Sequence, residues 1–80
     1  MIIFKTESTV VSLTPSHITL IQVNSEKAEI YLLLSNGREL AIYDDSDEDS
    51  NMWSIIAGVR HKFKITTTEF DSLTKQLNNL

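Results

Sequence analysis

The residues most able to do chemistry form an acidic run, Asp44-Asp45-Ser46-Asp47-Glu48-Asp49. Counted from Asp45, the carboxylates of Asp47 and Asp49 match the first positions of an EF-hand calcium loop. The sixth position holds Ser50 where that loop needs glycine, and the twelfth holds Ile56 where it needs glutamate. The sequence therefore predicts no calcium site, and favours a solvated loop that also caps a helix.

A basic stripe follows the acidic run and consists of alternate residues with a histidine beside them: Arg60, Lys62 and Lys64, with His61. Three cations on one face of a strand could bind phosphates. Lysines on an exposed strand also prevent edge-to-edge aggregation, and we favour this second interpretation.

Nucleophilic catalysis needs a serine or threonine beside a base that a third group orients. The two histidines, His17 and His61, lie far apart and neither has a motif around it. Paired carboxylates for acid–base work would need a pocket that separates their pKa values. We therefore expect a protein that is not an enzyme and that has no metal and no cofactor.

The negative charge of this 80-residue chain is local, which bears on the partners it could take. The net charge is −4, but the acidic run holds five of the eleven acids, so the rest of the chain has six acids against seven bases. Because nucleic-acid binding needs a basic footprint, we expect no direct nucleic-acid partner.

Composition predicts one globular domain in a cytoplasmic setting. The hydrophobic content is 41% and there is no cysteine, so the chain has no disulfide framework. The apolar stretch at residues 1–6 is too short for a signal peptide, and no stretch approaches the roughly 20 apolar residues that cross a bilayer.

The first third of the chain predicts short strands separated by turns. Residues 2–4 form the first strand, and 9–13 form a second strand or continue the first after a bend near Glu7-Ser8. Pro15 marks a turn, since it cannot donate to a ladder. Residues 17–23 alternate and predict a further strand.

Asn36-Gly37 lies between two apolar runs and predicts a hairpin over Glu29–Asp44. A two-residue loop pairs Ser35 with Arg38, Leu33 with Leu40, Tyr31 with Ile42 and Leu32 with Ala41. One face then carries Tyr31, Leu33, Leu40 and Ile42. The other face carries Ile30, Leu32, Leu34, Ala41 and Tyr43.

The second half predicts a short helix, a strand and a longer helix. Residues 47–57 have helical spacing but could instead hold a strand, and Val59–Ile65 alternates, with Val59, His61, Phe63 and Ile65 on one side. The sequence from Thr66 to Glu69 is a capping box that starts an amphipathic C-terminal helix. The predicted fold is α+β: a small antiparallel sheet or partly closed barrel of about five to six strands, with this helix.

Both faces of the predicted hairpin are apolar, and so short a chain has little material to cover them. We therefore expect self-association or a protein partner. The expected contact residues are those of the hairpin, the acidic run and the neighbouring tryptophan, which could equally be buried: Tyr31, Leu33, Ile42, Tyr43, Asp44, Asp45, Asp47, Glu48 and Trp53.

The order of these elements resembles that of the small FlbD-like β-meander proteins of bacteria and phages. The resemblance rests on residues 11–13, Ile18 and Ile21, residues 30–34, Asn36-Gly37-Arg38-Glu39 and Ile42, and on the final strand and helix over residues 63–77. The segment 44–58 departs from that pattern. The resemblance implies a meander followed by a helix, and no activity.

Two local stretches are similar to the uracil-DNA glycosylase inhibitors of phages, which are acidic DNA mimics. They are Glu7-Ser8-Thr9, before an apolar strand, and Tyr43-Asp44-Asp45-Ser46. This resemblance implies that Glu7 and Ser8 contact the inhibited enzyme. The sequence thus favours a non-catalytic protein-interaction module of the kind that phages or mobile elements encode, with an acidic DNA-mimic inhibitor as the alternative.

Overall fold

The computed structural model describes residues 1–24, 26, 28–45 and 59–80, and within them the chain has the predicted α+β fold. The elements in chain order are β1 (Ile2–Lys5), β2 (Val10–Leu13), a short 3₁₀ helix (Pro15–His17), β3 (Ile18–Asn24), β4 (Glu29–Leu34), β5 (Glu39–Asp44), β6 (His61–Ile65) and α1 (Thr67–Asn78). The helix proposed over residues 47–57 lies outside the described residues. No described helix has the length and hydropathy needed to cross a membrane.

The strands form two sheets. β1 and β2 pair as an antiparallel hairpin, while β3, β4 and β5 form an antiparallel meander. β6 adds to this meander in parallel with β5, which makes the second sheet mixed instead of purely antiparallel. Parallel neighbours need a long crossover of about a dozen residues, which the segment between β5 and β6 provides. The four-stranded sheet is open and does not close into a barrel.

The hairpin between β4 and β5 is confirmed, but its loop has three residues instead of two. The amide of Leu34 donates to the carbonyl of Arg38 at 2.8 Å, and that of Gly37 donates to the carbonyl of Leu34 at 2.9 Å. Gly37 has a φ of +85°, the left-handed conformation that closes a three-residue loop after a type I turn. The Asn36 side chain accepts from the amide of Arg38 at 3.0 Å, which fixes the exit of the turn.

This extra loop residue shifts the strand register by one, so the predicted pairs are wrong. The observed partners are Ile30 with Ile42, Tyr31 with Ala41, and Leu32 with Leu40. Because side chains alternate between faces, a shift of one residue changes which residues of the two strands lie on the same face of the hairpin. One face gathers four core residues of at most 6% exposure: Ile30, Leu32, Leu40 and Ile42.

The β1–β2 hairpin and α1 cover this core face. Phe4 is fully buried and its ring meets that of Phe63 edge-on, with centroids 5.5 Å apart and planes at 73°. The helix contributes three buried side chains at helical spacing, Phe70, Leu73 and Leu77. Aromatic and branched side chains from both layers thus form one continuous core.

The start of α1 is confirmed by its cap. Thr66 is extended, and its hydroxyl accepts from the amide of Glu69 at 3.3 Å. Ile65 before the cap and Phe70 after it are both buried in the core, as a hydrophobic staple requires. The Glu69 carboxylate accepts from the amide of Lys5 at 3.4 Å, so the first turn of the helix also holds β1.

Gln76 ties the far end of α1 to the outer side of β1. Its amide oxygen accepts from the amide of Ile3 at 2.8 Å, and its amide nitrogen donates to the carbonyl of Ile3 at 2.8 Å. One side chain therefore satisfies both backbone groups that a neighbouring strand would otherwise bind.

The observed register predicts opposite outcomes for two adjacent leucines. Leu32 is fully buried, so Leu32→Ala should lower the free energy of unfolding by about 2–5 kcal/mol because it leaves a cavity. Leu33 is half-buried on the other face, so Leu33→Ala should cost about 1 kcal/mol. Urea denaturation of both variants measures the difference. Equal losses would contradict this register.

Candidate functional site

The face of the four-stranded sheet opposite the core is the first candidate surface, and we call it the second face. Strand register and alternation place on it three positions of β4, three of β5 and five on the outer strands, Asn24 of β3 among them. They are Glu29, Tyr31 and Leu33; Glu39, Ala41 and Tyr43; and Leu20, Gln22, Asn24, Lys62 and Lys64. Tyr31, Leu33 and Tyr43, three of the predicted contact residues, therefore share one surface.

Tyr31 forms a strong polar contact on the second face. Its hydroxyl donates to the Glu39 carboxylate at 2.5 Å. This hydrogen bond, together with partial burial and the negative charge of Glu39, raises the pKa of Tyr31 above its ordinary value. Burial also raises the pKa of Tyr43. The two phenols therefore stay neutral at physiological pH and remain available as hydrogen-bonding groups.

The centre of the second face is partly covered. Ala41 is fully buried and packs with Val59, and Tyr31 lies against both. Val59 was predicted to share a side with Phe63, but it packs on the opposite face of the sheet. The reason is that β6 begins only at His61, so strand alternation does not extend back to Val59.

The outer strands of the four-stranded sheet differ in charge. β6 exposes Lys62 and Lys64 on the second face, and its inward residues include Phe63 and Ile65, as the alternation predicted. Such lysines discourage a second chain from pairing with an edge. Their placement supports the protective interpretation of the basic stripe.

β3 is the other outer strand, and it carries no lysine. Its seven residues include no charged side chain, and Leu20 and Val23 are 42% and 44% exposed. No strand pairs with its outer side among the described residues. The contact residues predicted from the sequence do not include this strand. The signal that could have found it is the uncharged run Ile18–Asn24, since edges in contact with water normally carry charge or proline.

Ile42 and Asp44, two of the predicted contact residues, are buried. Ile42 is fully buried in the core, on the opposite side of β5 from Tyr43. Asp44 is 5% exposed, and its carboxylate accepts from the hydroxyl of Thr67 at 2.9 Å. This contact places a negative charge at the N-terminus of α1, where the helix dipole favours it.

The acidic run therefore begins inside the fold. Asp45 is exposed, and its amide donates to the carbonyl of Ile65 at 2.8 Å. Asp47, Glu48 and Trp53 lie outside the described residues. Among the residues that the structure does describe, no group of three or more histidine or acidic side chains could hold a metal ion.

Comparisons with protein families, with curated proteins and with solved structures found no match to this chain. The resemblances to FlbD-like proteins and to uracil-DNA glycosylase inhibitors stay predictions from the sequence.

The buried position of Asp44 predicts a structural role that its neighbour lacks. Asp44→Ala should lower the free energy of unfolding by about 1–3 kcal/mol, because it removes a charged acceptor from the first turn of α1. Asp45→Ala, a matched change at an exposed carboxylate, should alter it by no more than about 0.5 kcal/mol. Urea denaturation at neutral pH measures both, and an equal effect of the two would contradict a structural role for Asp44.

The Tyr31–Glu39 contact predicts a titration that can be observed directly. Tyr43→Phe leaves Tyr31 as the only tyrosine, so ultraviolet absorbance reports its pKa. Adding Glu39→Gln should lower that pKa towards the ordinary 10.0, because the neutral amide binds the phenol proton less strongly.

The same contact couples stability to pH. A raised pKa in the folded state means that the folded protein binds the proton more tightly, so this stabilisation is complete below pH 10.0 and declines as the pH rises through the raised value. Glu39→Gln should weaken that decline. An unchanged Tyr31 titration in the Gln variant would contradict the contact.

Proposed function

We propose that this chain is a non-catalytic protein-interaction module that pairs with a second copy of itself through β3. The observation that carries the proposal is the contrast between the two outer strands of the sheet. β6 exposes two lysines, whereas β3 exposes apolar side chains and carries no charge. An exposed strand without charge favours pairing with another strand.

A two-fold axis through Gln22 makes β3 complementary to itself. Two antiparallel copies then align with Ile21 of one chain beside Val23 of the other, and with Leu20 beside Asn24. Ile21 and Val23 both lie on the core side of their sheet, since they pair with Leu32 and Ile30 of β4. The apolar pair across the axis continues the core into the second copy.

The regular part of β3 is long enough for this arrangement. A bulge between Ile18 and Leu20 interrupts the ladder with β4, but from Leu20 to Asn24 the register is continuous. The backbone groups on the outer side of this stretch can form the ladder, and the absence of charge removes like-charge repulsion across the axis. The two four-stranded sheets would then form one continuous sheet through the dimer.

Charged substitutions at Gln22 test the position of the two-fold axis. Because Gln22 of one chain lies beside Gln22 of the other, Gln22→Lys places two like charges directly opposite each other, and Gln22→Glu does the same with the opposite sign. The dimer of each variant alone should have a dissociation constant roughly tenfold higher than that of the wild type. An equimolar mixture of the two variants should associate again as a mixed dimer. Asn78→Lys, at an exposed position in the last turn of α1, is the matched control and should associate as the wild type does.

Sedimentation equilibrium at micromolar concentration measures these masses against the 9.1 kDa chain, with circular dichroism to confirm that each variant is folded. A wild type that stays at the mass of one chain would refute self-association. A dimer that Gln22→Lys leaves intact would refute β3 as its interface.

A further inference from the structure

A cavity of about 370 Å³ opens between β2 and the core side of the four-stranded sheet, at the end that carries the β4–β5 turn. It does not include the exposed residues of β3 and is distinct from the second face. Apolar and polar side chains both line it: Val11, Ser12, Leu13, Thr14, His17, Leu34, Asn36, Arg38, Leu40, His61 and Phe63.

The floor of the cavity is an extension of the core. Leu40 is 6% exposed, while Leu34 and Phe63 are half-buried. β2 adds Val11 and Leu13 as the opposite wall. These side chains form an apolar surface that the β1–β2 hairpin leaves partly uncovered, and a largely apolar floor with a few polar groups is typical of small-molecule sites.

The rim of the cavity is formed by the polar side chains of His17, Arg38 and His61. These residues come from separate segments that backbone contacts hold together. His17 is the last residue of the 3₁₀ helix, and its carbonyl accepts from the amide of Ser35 in the turn at 2.8 Å. The Asn36 side chain fixes the amide of Arg38. His61 lies beside Leu40 because β6 is parallel to β5. The only two histidines of the chain, far apart in sequence, thus line the same cavity with Arg38.

The charge of this rim is positive. No aspartate or glutamate is among the described lining residues, and no described carboxylate forms an ion pair with Arg38. The nearest acid in sequence, Glu39, lies on the second face, where it accepts from Tyr31. An adjoining cavity shares Asn36, Arg38 and His61 and is also lined by Arg60 and by Glu39, so Arg38 is the charged side chain that lines the first cavity itself.

We propose that this cavity binds a small organic anion that has a carboxylate or phosphate head and an apolar body. Arg38 receives the head, because a guanidinium matches the two oxygens of such a group. His17 and His61 donate further hydrogen bonds to it, and the apolar body lies over Leu40 and Phe63. This binding is independent of self-association through β3.

Four probes separate the parts of the proposal: benzoate, phenyl phosphate, inorganic phosphate and benzyl alcohol. The two aromatic anions should bind more tightly than either inorganic phosphate, which lacks the apolar body, or benzyl alcohol, which lacks the charge. Comparing benzoate with phenyl phosphate shows which head group the site prefers. Titrations followed by ¹H–¹⁵N correlation spectra should move the amide signals of His17, Arg38 and His61.

A charge-matched pair of variants tests the role of Arg38. Arg38→Met should weaken binding of the better aromatic anion roughly tenfold or more, as expected for loss of a charge-assisted hydrogen bond. Lys75→Met removes the same charge from an exposed position on α1 and should change the affinity less than about twofold.

Three results would overturn the proposal. They are no signal movement with either aromatic anion, equal binding of benzyl alcohol, and equal weakening by the two variants. The wild-type titrations decide the first two even if Arg38→Met does not fold.

Discussion

The three-residue turn between β4 and β5 sets the register on which the rest of the fold depends. Gly37 in the left-handed conformation lets Leu34 pair with Arg38, and this contact brings Ile30 beside Ile42 and Leu32 beside Leu40. One apolar face then meets the β1–β2 hairpin and α1. With one residue fewer in the loop, the same strands would place Tyr31 opposite Ile42 and divide the core residues between both faces.

The edge strands of the two sheets differ in what shields them from pairing with another strand. Gln76 of α1 satisfies both backbone groups of Ile3, so a helix side chain occupies the place where another strand would pair with β1. Lysines protect β6 by charge. β3 has neither device among the described residues, although it is the longest strand there. Its exposed apolar side chains, Leu20 and Val23, are the feature on which the proposal of self-association rests.

The parallel pairing of β5 and β6 decides which side chains meet at each end of the sheet. The first residues of both strands meet at one end, which gathers Arg38, Glu39, Arg60 and His61 around the turn. Their last residues meet at the other end, where Asp44 lies beside Ile65 and binds the first turn of α1. An antiparallel β6 would have placed His61 near Asp44, so the cationic rim of the cavity depends on the crossover between these strands.

The sequence by itself determined the described strands, the hairpin around Asn36-Gly37, the alternation of β6 and the capped helix. Each of these depends on residues only a few positions apart, through strand alternation, turn chemistry or helix capping. The tertiary structure decided the loop length, the parallel direction of β6, the burial of Asp44 and the meeting of His17 with His61. These features depend on which surfaces pack together across the whole chain, because a one-residue shift or a reversed strand keeps the same local pattern and changes only the long-range contacts.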